Sequence, residues 1–352
     1  MFMLNIFLVI STLIAYSAPH IHPVKFSFPA YFGLAFPFLL IGNILFILFW
    51  IFVDFLKGLP SFLTLAFGFK VILSFFNFNK SEIKNDATTF SIISYNINNA
   101  LKAYSNESAT KKSKQKNMRE FMNRFKDEDI ICLQEFGPYA NDIVKNNPEF
   151  KHLSIHRINN KKTAILSKHT FIDEGEIDFG TITNSCVWVD LVVNFETLRV
   201  YSVHLQSNQI SKDADELVKS GDLYNKKGIP EIKGIFKKFG HNHVTRSNQV
   251  ERIKDHMNKS PYSVILCGDL NDTPLSYTYG TISEGMKDLF YEKGKGIGTT
   301  YSGSIPLLRI DYIFTDHCIH ALSYKTIKED YSDHYPIASL VYKDCNANQK
   351  KP

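Results

Sequence analysis

The stretch Val264-Ile265-Leu266-Cys267-Gly268-Asp269-Leu270-Asn271-Asp272-Thr273-Pro274 runs from a short apolar segment straight into a polar turn. Four apolar residues bounded by turn formers read as a buried strand. Its turn sets carboxylates and an amide at the strand end, and such groups are costly beside a core unless each finds a partner. Asp269 and Asn271, two apart on a tight turn, can point to the same side. The pattern recurs along the chain. Runs at Phe90–Tyr95, Ile130–Gln134 and Leu198–His204 end in Tyr95-Asn96-Ile97, Leu133-Gln134-Glu135 and Val203-His204-Leu205. Ser332-Asp333-His334 precedes the run Ile337–Tyr342, and Asp311 is embedded in Arg309-Ile310-Asp311-Tyr312-Ile313. Taken singly, Asn96 reads as a turn former, His204 as a satisfied core histidine and Gly268–Asp272 as an Asx-type turn. Taken together, a shared metal and a bound phosphate would satisfy all of them at once.

The strand runs also set the architecture. Thr163–Ser167, Val187–Val193 and Ile310–Phe314 add to those above. Helical spacing is rarer: Met118, Phe121, Met122 and Phe125, then Val250, Ile253 and Met257. Many strands with few helices predict two packed sheets flanked by helices, not a regular alternating parallel sheet. The polar, lysine-rich segment Ser207–Gly240 interrupts this rhythm and is expected to form an excursion with its own short helices. Lys111, Lys112, Lys114 and Lys116 are expected in a loop entering the Met118 helix. Both basic segments read as solvated surface or as a rim for anionic substrate or lipid head groups.

The residue types suit phosphoester chemistry. Glu135 offers a hard oxygen anion and Asn96 an amide oxygen, a set that suits Mg²⁺ with waters and substrate oxygens completing the shell. One of Asp269 and Asn271 would hold an attacking water and the other a phosphate oxygen. His334 is a candidate general base, with Asp311 orienting its ring. His204 could donate to a phosphate oxygen as charge builds there. No phosphate loop, His-Glu-x-x-His helix or Gly-x-Ser-x-Gly elbow offers a rival chemistry.

The ordered set Gly268–Pro274, Arg309–Phe314 and Ser332–Pro336 resembles the endonuclease/exonuclease/phosphatase superfamily over about Phe90 to Tyr342. That superfamily includes pancreatic-type deoxyribonuclease, apurinic endonucleases, neutral sphingomyelinases and inositol-phosphate phosphatases. The resemblance implies a four-layer αββα sandwich of two mixed sheets and metal-dependent phosphoester hydrolysis, with Mg²⁺ as cofactor and Mn²⁺ as a substitute. By position it implies Asn96, Glu135 and Asp333 at the metal. It also implies Asp269, Asn271, Asp311, His334 and His204 as catalytic groups. Arg246, in an Arg-x-x-Gln pattern with Gln249, is open to two readings, a scaffold pair or a substrate contact. Asn184 reads as a turn former or a substrate-side group. Three positions depart from the pattern. Asn98 stands where apurinic endonucleases have an acid, and His204 where they have a tyrosine. Lys162–Ser167 lacks the glycine often found before the Ala164-Ile165 pair.

The front of the chain is of another kind. Its first 80 residues hold 17 of the 29 phenylalanines, four lysines, one acid (Asp54) and no arginine. The 36 basic and 34 acidic residues left after position 80 give a net charge of only +2, which excludes a nucleic-acid binder held by charge alone. Three apolar stretches, Phe2–Ala18, Tyr31–Val53 and Leu59–Phe78, are expected to cross a bilayer as about three helices, each needing about 20 residues. The first also resembles a secretory leader at Ala15-Tyr16-Ser17, but no Lys or Arg precedes its apolar run. Lysine placement leans toward a cytoplasmic body, yet large domains cross regardless, so no side is assigned. Five widely spaced cysteines predict neither a disulfide framework nor a zinc knuckle.

The expected organisation is therefore a membrane anchor over 1–80 and a catalytic domain over 85–345. The expected function is a multi-pass, membrane-bound phosphodiesterase. Its partners would be the lipid bilayer and a phosphoester substrate, nucleic acid or phospholipid, with no obligate protein partner. A catalytically inactive membrane scaffold that keeps the fold is the alternative.

Overall fold

The computed structural model describes residues 1–80, 88–104, 110–158, 161–208, 228–303 and 305–345. All eight apolar runs form strands. The first of two six-stranded sheets contains β2 (Thr89–Asn96), β3 (Ile130–Gln134), β4 (Ser154–His156), β5 (Thr163–Ser167), β13 (Ile319–Thr326) and β14 (Ile337–Lys343), in the order β13-β14-β2-β3-β5-β4. The second contains β6 (Phe171–Ile177), β7 (Ser185–Val193), β8 (Glu196–His204), β9 (Ser263–Asp269), β10 (Lys287–Asp288) and β12 (Asp311–Thr315), in the order β10-β12-β9-β8-β7-β6. Pairs β2/β3 and β8/β9 are parallel and the rest antiparallel, so both sheets are mixed.

Side-chain alternation assembles four layers from these strands. Ile92, Ile130 and Cys132 turn inward to meet Val187, Val200, Ile265 and Ile313 of the other sheet. Their neighbours Ile93, Ile131 and Leu133 turn outward, onto Met118 and Phe121 of the helix Thr110–Asn123 and onto Phe125 in the turn after it. On the opposite side, Tyr201, Val203 and Leu266 pack on Val250, Ile253 and Met257 of the helix Gly228–Asn258. The result is the αββα sandwich.

Several local expectations need correction. The Met118 helix begins at Thr110, so the lysine cluster occupies its first turns and not a loop. Of Ser207–Gly240, residues 209–227 lie outside the described residues. From Gly228 onward the chain is the start of one 31-residue helix, not a set of short ones. Cys318 and Cys345 form a disulfide, with Cα atoms 4.7 Å apart. Spacing hid this because β13 and β14 are antiparallel neighbours that pair Ile319 with Lys343, which brings residues 27 apart together at the sheet edge.

The apolar front end folds into α1 (Phe2–Ser17), α2 (Phe28–Val53), α3 (Phe55–Phe67) and α4 (Phe69–Phe75). Two segments, Phe2–His20 and Phe28–Val53, are long and apolar enough to cross a membrane, and α3 with α4 would make a third only as a bent pair. The third stretch is thus not one straight helix. It bends by 67° at Gly68, a poor helix former, and its last residues leave helix as strand β1 (Phe76–Phe78). Inside the bundle, polar groups pair with one another: Asn43 Nδ2 donates to Thr12 Oγ1 at 2.8 Å, and Asn5 Nδ2 to the Lys57 carbonyl at 3.0 Å.

The front end is built onto the sandwich. β1 pairs antiparallel with β11 (Lys295–Ile297), and Asn77 Nδ2 donates to the Tyr291 carbonyl at 2.7 Å. His22 meets Glu251 at 2.8 Å, and the Tyr31 hydroxyl donates to the Phe236 carbonyl at 2.8 Å. The expected boundary between residues 80 and 85 falls at residues 81–87, outside the described residues.

Candidate active site

Register puts the polar strand ends at one mouth of the sandwich. His204 lies opposite Asp269 across β8/β9, Asp269 opposite Asp311 across β9/β12, and Asn96 opposite Gln134 across β2/β3. The turn after β9 depends on Gly268, at φ 151°, where a Cβ would come within 2.0 Å of the Val203 carbonyl oxygen. Three residues with side chains that line the cleft take left-handed backbone here, Asn98 (φ 45°), Glu135 (φ 51°) and Asn271 (φ 52°). Such strain in non-glycine residues gathers at functional sites.

The contacts form two linked sets. In the first, Asn96 Nδ2 donates to Asp269 Oδ2 at 2.9 Å and to Glu135 Oε1 at 3.3 Å, while its Oδ1 accepts from the Asn98 amide at 3.0 Å. His204 Nδ1 bonds the Thr183 carbonyl at 3.1 Å. That leaves Nε2 at 3.6 Å from Glu135 and 3.7 Å from Asp269, buried and without a hydrogen-bond partner among the described residues. In the second set, His334 Nδ1 bonds Asp311 Oδ2 at 2.9 Å and its Nε2 lies 3.8 Å from Asp269 Oδ2. Tyr301 packs edge-on against the His334 ring.

Electrostatics follow from this crowding. Burial alone would depress His334, but Asp311 and Asp269 overcome it and push the imidazole up to about 10. Burial, then Asp311, raises Asp269, while His334 and His204 pull it back. Asp269, Asp311 and His334 therefore crowd more negative charge into the mouth than their own contacts satisfy. Their ligand atoms all lie within 4.8 Å of one another, and Asp311 Oδ1 has no partner among the described residues. A cation answers such an arrangement.

The expected residues reach the mouth in different ways. Glu135, Asn184, His204, Asp269, Asn271, Asp333 and His334 line a cleft of about 280 Å³, and Asn96 and Asp311 touch that lining from behind. Asp333 is held by Asn98, whose amide donates to its Oδ1 at 2.7 Å, so the departure from the acid pattern becomes a contact to another acid. Asn271 Nδ2 is committed to the Leu205 carbonyl at 3.1 Å and Asn184 Nδ2 to the same oxygen at 2.9 Å. Arg246 does not line the cleft. Fully buried, it spends its guanidinium on Asp272, the Gln206 carbonyl and Asn208, contacts of the scaffold kind. Sequence reasoning missed Leu34, Lys162, Gln206, Asn208 and Tyr301 as lining residues. Lys162 heads the Lys162–Ser167 run already singled out, but Leu34 lies in an apolar run and carries no polar signal.

The αββα sandwich with acids, amide and histidines at one mouth has the build of a phosphoesterase-type fold. Residues 93–334 match the model of the Endonuclease/Exonuclease/phosphatase family, and the chain belongs to that family. Residues 1–75 match a second model, described as a domain of unknown function (DUF8431). Among solved structures, a humanized D. rerio TDP2 carrying 14 mutations is 17% identical, covers 73% of this chain and 100% of its own, and superposes with a TM-score of 0.53. The D. rerio TDP2 complexed with single strand DNA product gives the same values. A functionally unknown conserved protein from Enterococcus faecalis V583 is 15% identical, covers 72% of this chain and 100% of its own, at a TM-score of 0.51. These likenesses concern the fold. No curated protein matches the chain.

Proposed function

We propose that this chain is a membrane-anchored, divalent-metal-dependent phosphoester hydrolase. The anchor is residues 1–80 and the catalytic domain residues 85–345. The observation that carries the reading is the meeting of Glu135, Asn96, His204, Asp269 and the His334–Asp311 pair at one mouth. Glu135 and Asp333, both lining the cleft, would offer the hard carboxylate oxygens that Mg²⁺, or Mn²⁺ in its place, prefers, while Asn96 orients the Glu135 and Asp269 carboxylates through its Nδ2. A bound divalent ion would offset charge on the phosphate and on the carboxylates that raise His334. The Asp269–Asp311–His334 group is the tighter cluster, but His334 Nδ1 and Asp311 Oδ2 are spent on each other there, so the cleft-facing Glu135 side is the better ion site.

Each residue then has a defined task. Asp311 fixes the His334 ring with Nδ1 toward itself, which leaves Nε2 facing the cleft to take or give a proton. Asp269, 3.8 Å from Nε2, would hold the attacking water beside it. His204, its Nδ1 held by the Thr183 carbonyl, would turn Nε2 toward a phosphate oxygen. Asn271 shapes the turn, its amide N–H bonding Asp269 Oδ1 at 2.8 Å, and in this way it sets the direction of that carboxylate. Arg246 takes no part in substrate binding.

The test is hydrolysis of a generic phosphodiester by the purified full chain in Mg²⁺ and in EDTA. His334→Ala and Glu135→Ala are each expected to abolish the Mg²⁺-dependent rate while far-UV circular dichroism stays native. Retained activity in both variants would refute the roles given to His334 and Glu135, and no metal-dependent activity in the parent would leave a scaffold protein instead.

A further inference from the structure

The membrane-directed helix α2 supplies part of the cleft wall. Its residue Gly33 accepts a hydrogen bond from Thr273 Oγ1 at 3.3 Å, on the same turn that carries Asp269. A Cβ at Gly33 would come within 2.1 Å of the Leu275 carbonyl oxygen, so only glycine permits this approach. Phe36, one turn on, is fully buried against Leu275. The helix is thus pressed against the catalytic turn, and the intervening side chain, Leu34, reaches the cleft. Ile305, Leu308 and Ile310 line it as well.

Leu34 is also the first member of a stripe. Phe38, Ile41, Leu45, Leu48 and Phe52 follow it at spacings of three and four, which places all six on one helix face. Every one of the five beyond Leu34 is 45% exposed or more. At 1.5 Å per residue the stripe extends about 27 Å from Leu34, close to the hydrocarbon thickness of a bilayer at roughly 30 Å. An apolar track therefore runs from the bilayer depth into the mouth that holds Asp269 and His334. A soluble, highly charged polymer would have no use for such a track, and the net charge of +2 after position 80 offers a nucleic acid little attraction.

Resting on the phosphoester-hydrolase reading, we infer that the substrate is a membrane phospholipid whose phosphoester enters the cleft along α2, with Leu34 as a specificity-determining contact for its apolar part. The experiment uses the full chain reconstituted in vesicles of equimolar phosphatidylcholine and phosphatidylglycerol, with bis(4-nitrophenyl) phosphate as a soluble diester in the same sample. Leu34→Glu is expected to lower the ratio of phospholipid to soluble-diester turnover by about tenfold or more, the scale set by one apolar contact in a binding pocket. Leu34→Ile is expected to keep the ratio near that of the parent. Because each sample supplies its own denominator, partial misfolding of a variant cancels. An unchanged ratio in Leu34→Glu would overturn the inference. So would a parent protein that cleaves the diester or a single-stranded oligonucleotide but not vesicle phospholipid. If the parent cleaves nothing in Mg²⁺, the hydrolase reading itself fails, and this inference with it.

Discussion

Asp269 and Asp272 lie three residues apart in one turn, both buried, and their surroundings treat them in opposite ways. Asp272 faces the scaffold. Burial would raise it, but Arg246 and His243 outweigh that and hold it down to about 2, with Thr278 Oγ1 donating at 3.0 Å. Asp269 faces the mouth, where burial and Asp311 push it up and Glu135 stands nearby. One carboxylate has its cation inside the protein. The other is set among acids, and what offsets it is a His334 shared with Asp311 and a His204 whose Nε2 has no hydrogen-bond partner among the described residues. Burial alone therefore says little about a carboxylate's task; whether the chain itself supplies the counter-charge says much more.

The comparison can be broken by exchanging charge at each position. Asp269→Asn should cost roughly 10³-fold in turnover, within the range for removing a group that acts on the reacting atoms, while leaving the thermal midpoint level or higher because it relieves repulsion with Asp311. A drop in the midpoint with turnover intact would reverse the assignment. On the scaffold side, Arg246→Met strands Asp272 without its cation and should destabilise the fold by about 3–5 kcal/mol in denaturant titrations of the detergent-solubilised chain. An unaltered midpoint with a raised KM would make Arg246 a substrate ligand after all.

The same contrast explains what was legible in the sequence. Strand ends are readable because an apolar run that stops at Asn96, His204 or Asp269 must place that side chain at a sheet edge, and period-two alternation fixed which neighbours face inward. The meeting of those ends at one mouth followed from the ordered motifs, since register cannot be counted from a single chain. Arg246 stayed ambiguous because a guanidinium looks the same in sequence whether it meets a buried acid or a phosphate. Leu34 was invisible for the opposite reason: in a run such as Gly33-Leu34-Ala35-Phe36, nothing local separates a residue facing lipid from one facing a cleft. The Cys318–Cys345 pair and the β1/β11 pairing were hidden likewise, because each depends on chain segments brought together only by the finished sheets.

Two smaller effects sharpen the distinction between the carboxylates. Mg²⁺ should stabilise the protein through the mouth, by about 2.7 kcal/mol at a hundred times its dissociation constant, and Glu135→Gln should remove most of that gain in thermal melts. Acid should act through the scaffold. The folded value of Asp272, about 2, lies below the ordinary carboxylate value near 3.8, so its contribution is fully present above about pH 4 and lost as pH falls through 2. The shift corresponds to about 2 kcal/mol. Denaturant midpoints measured from pH 5 down to 2 should therefore fall less steeply in Asp272→Asn, starting from a lower plateau, than in the parent. Parallel slopes in the two proteins would mean that Arg246 and His243 do not hold Asp272 ionised, and the contrast between the two ends of the turn would lose its electrostatic basis.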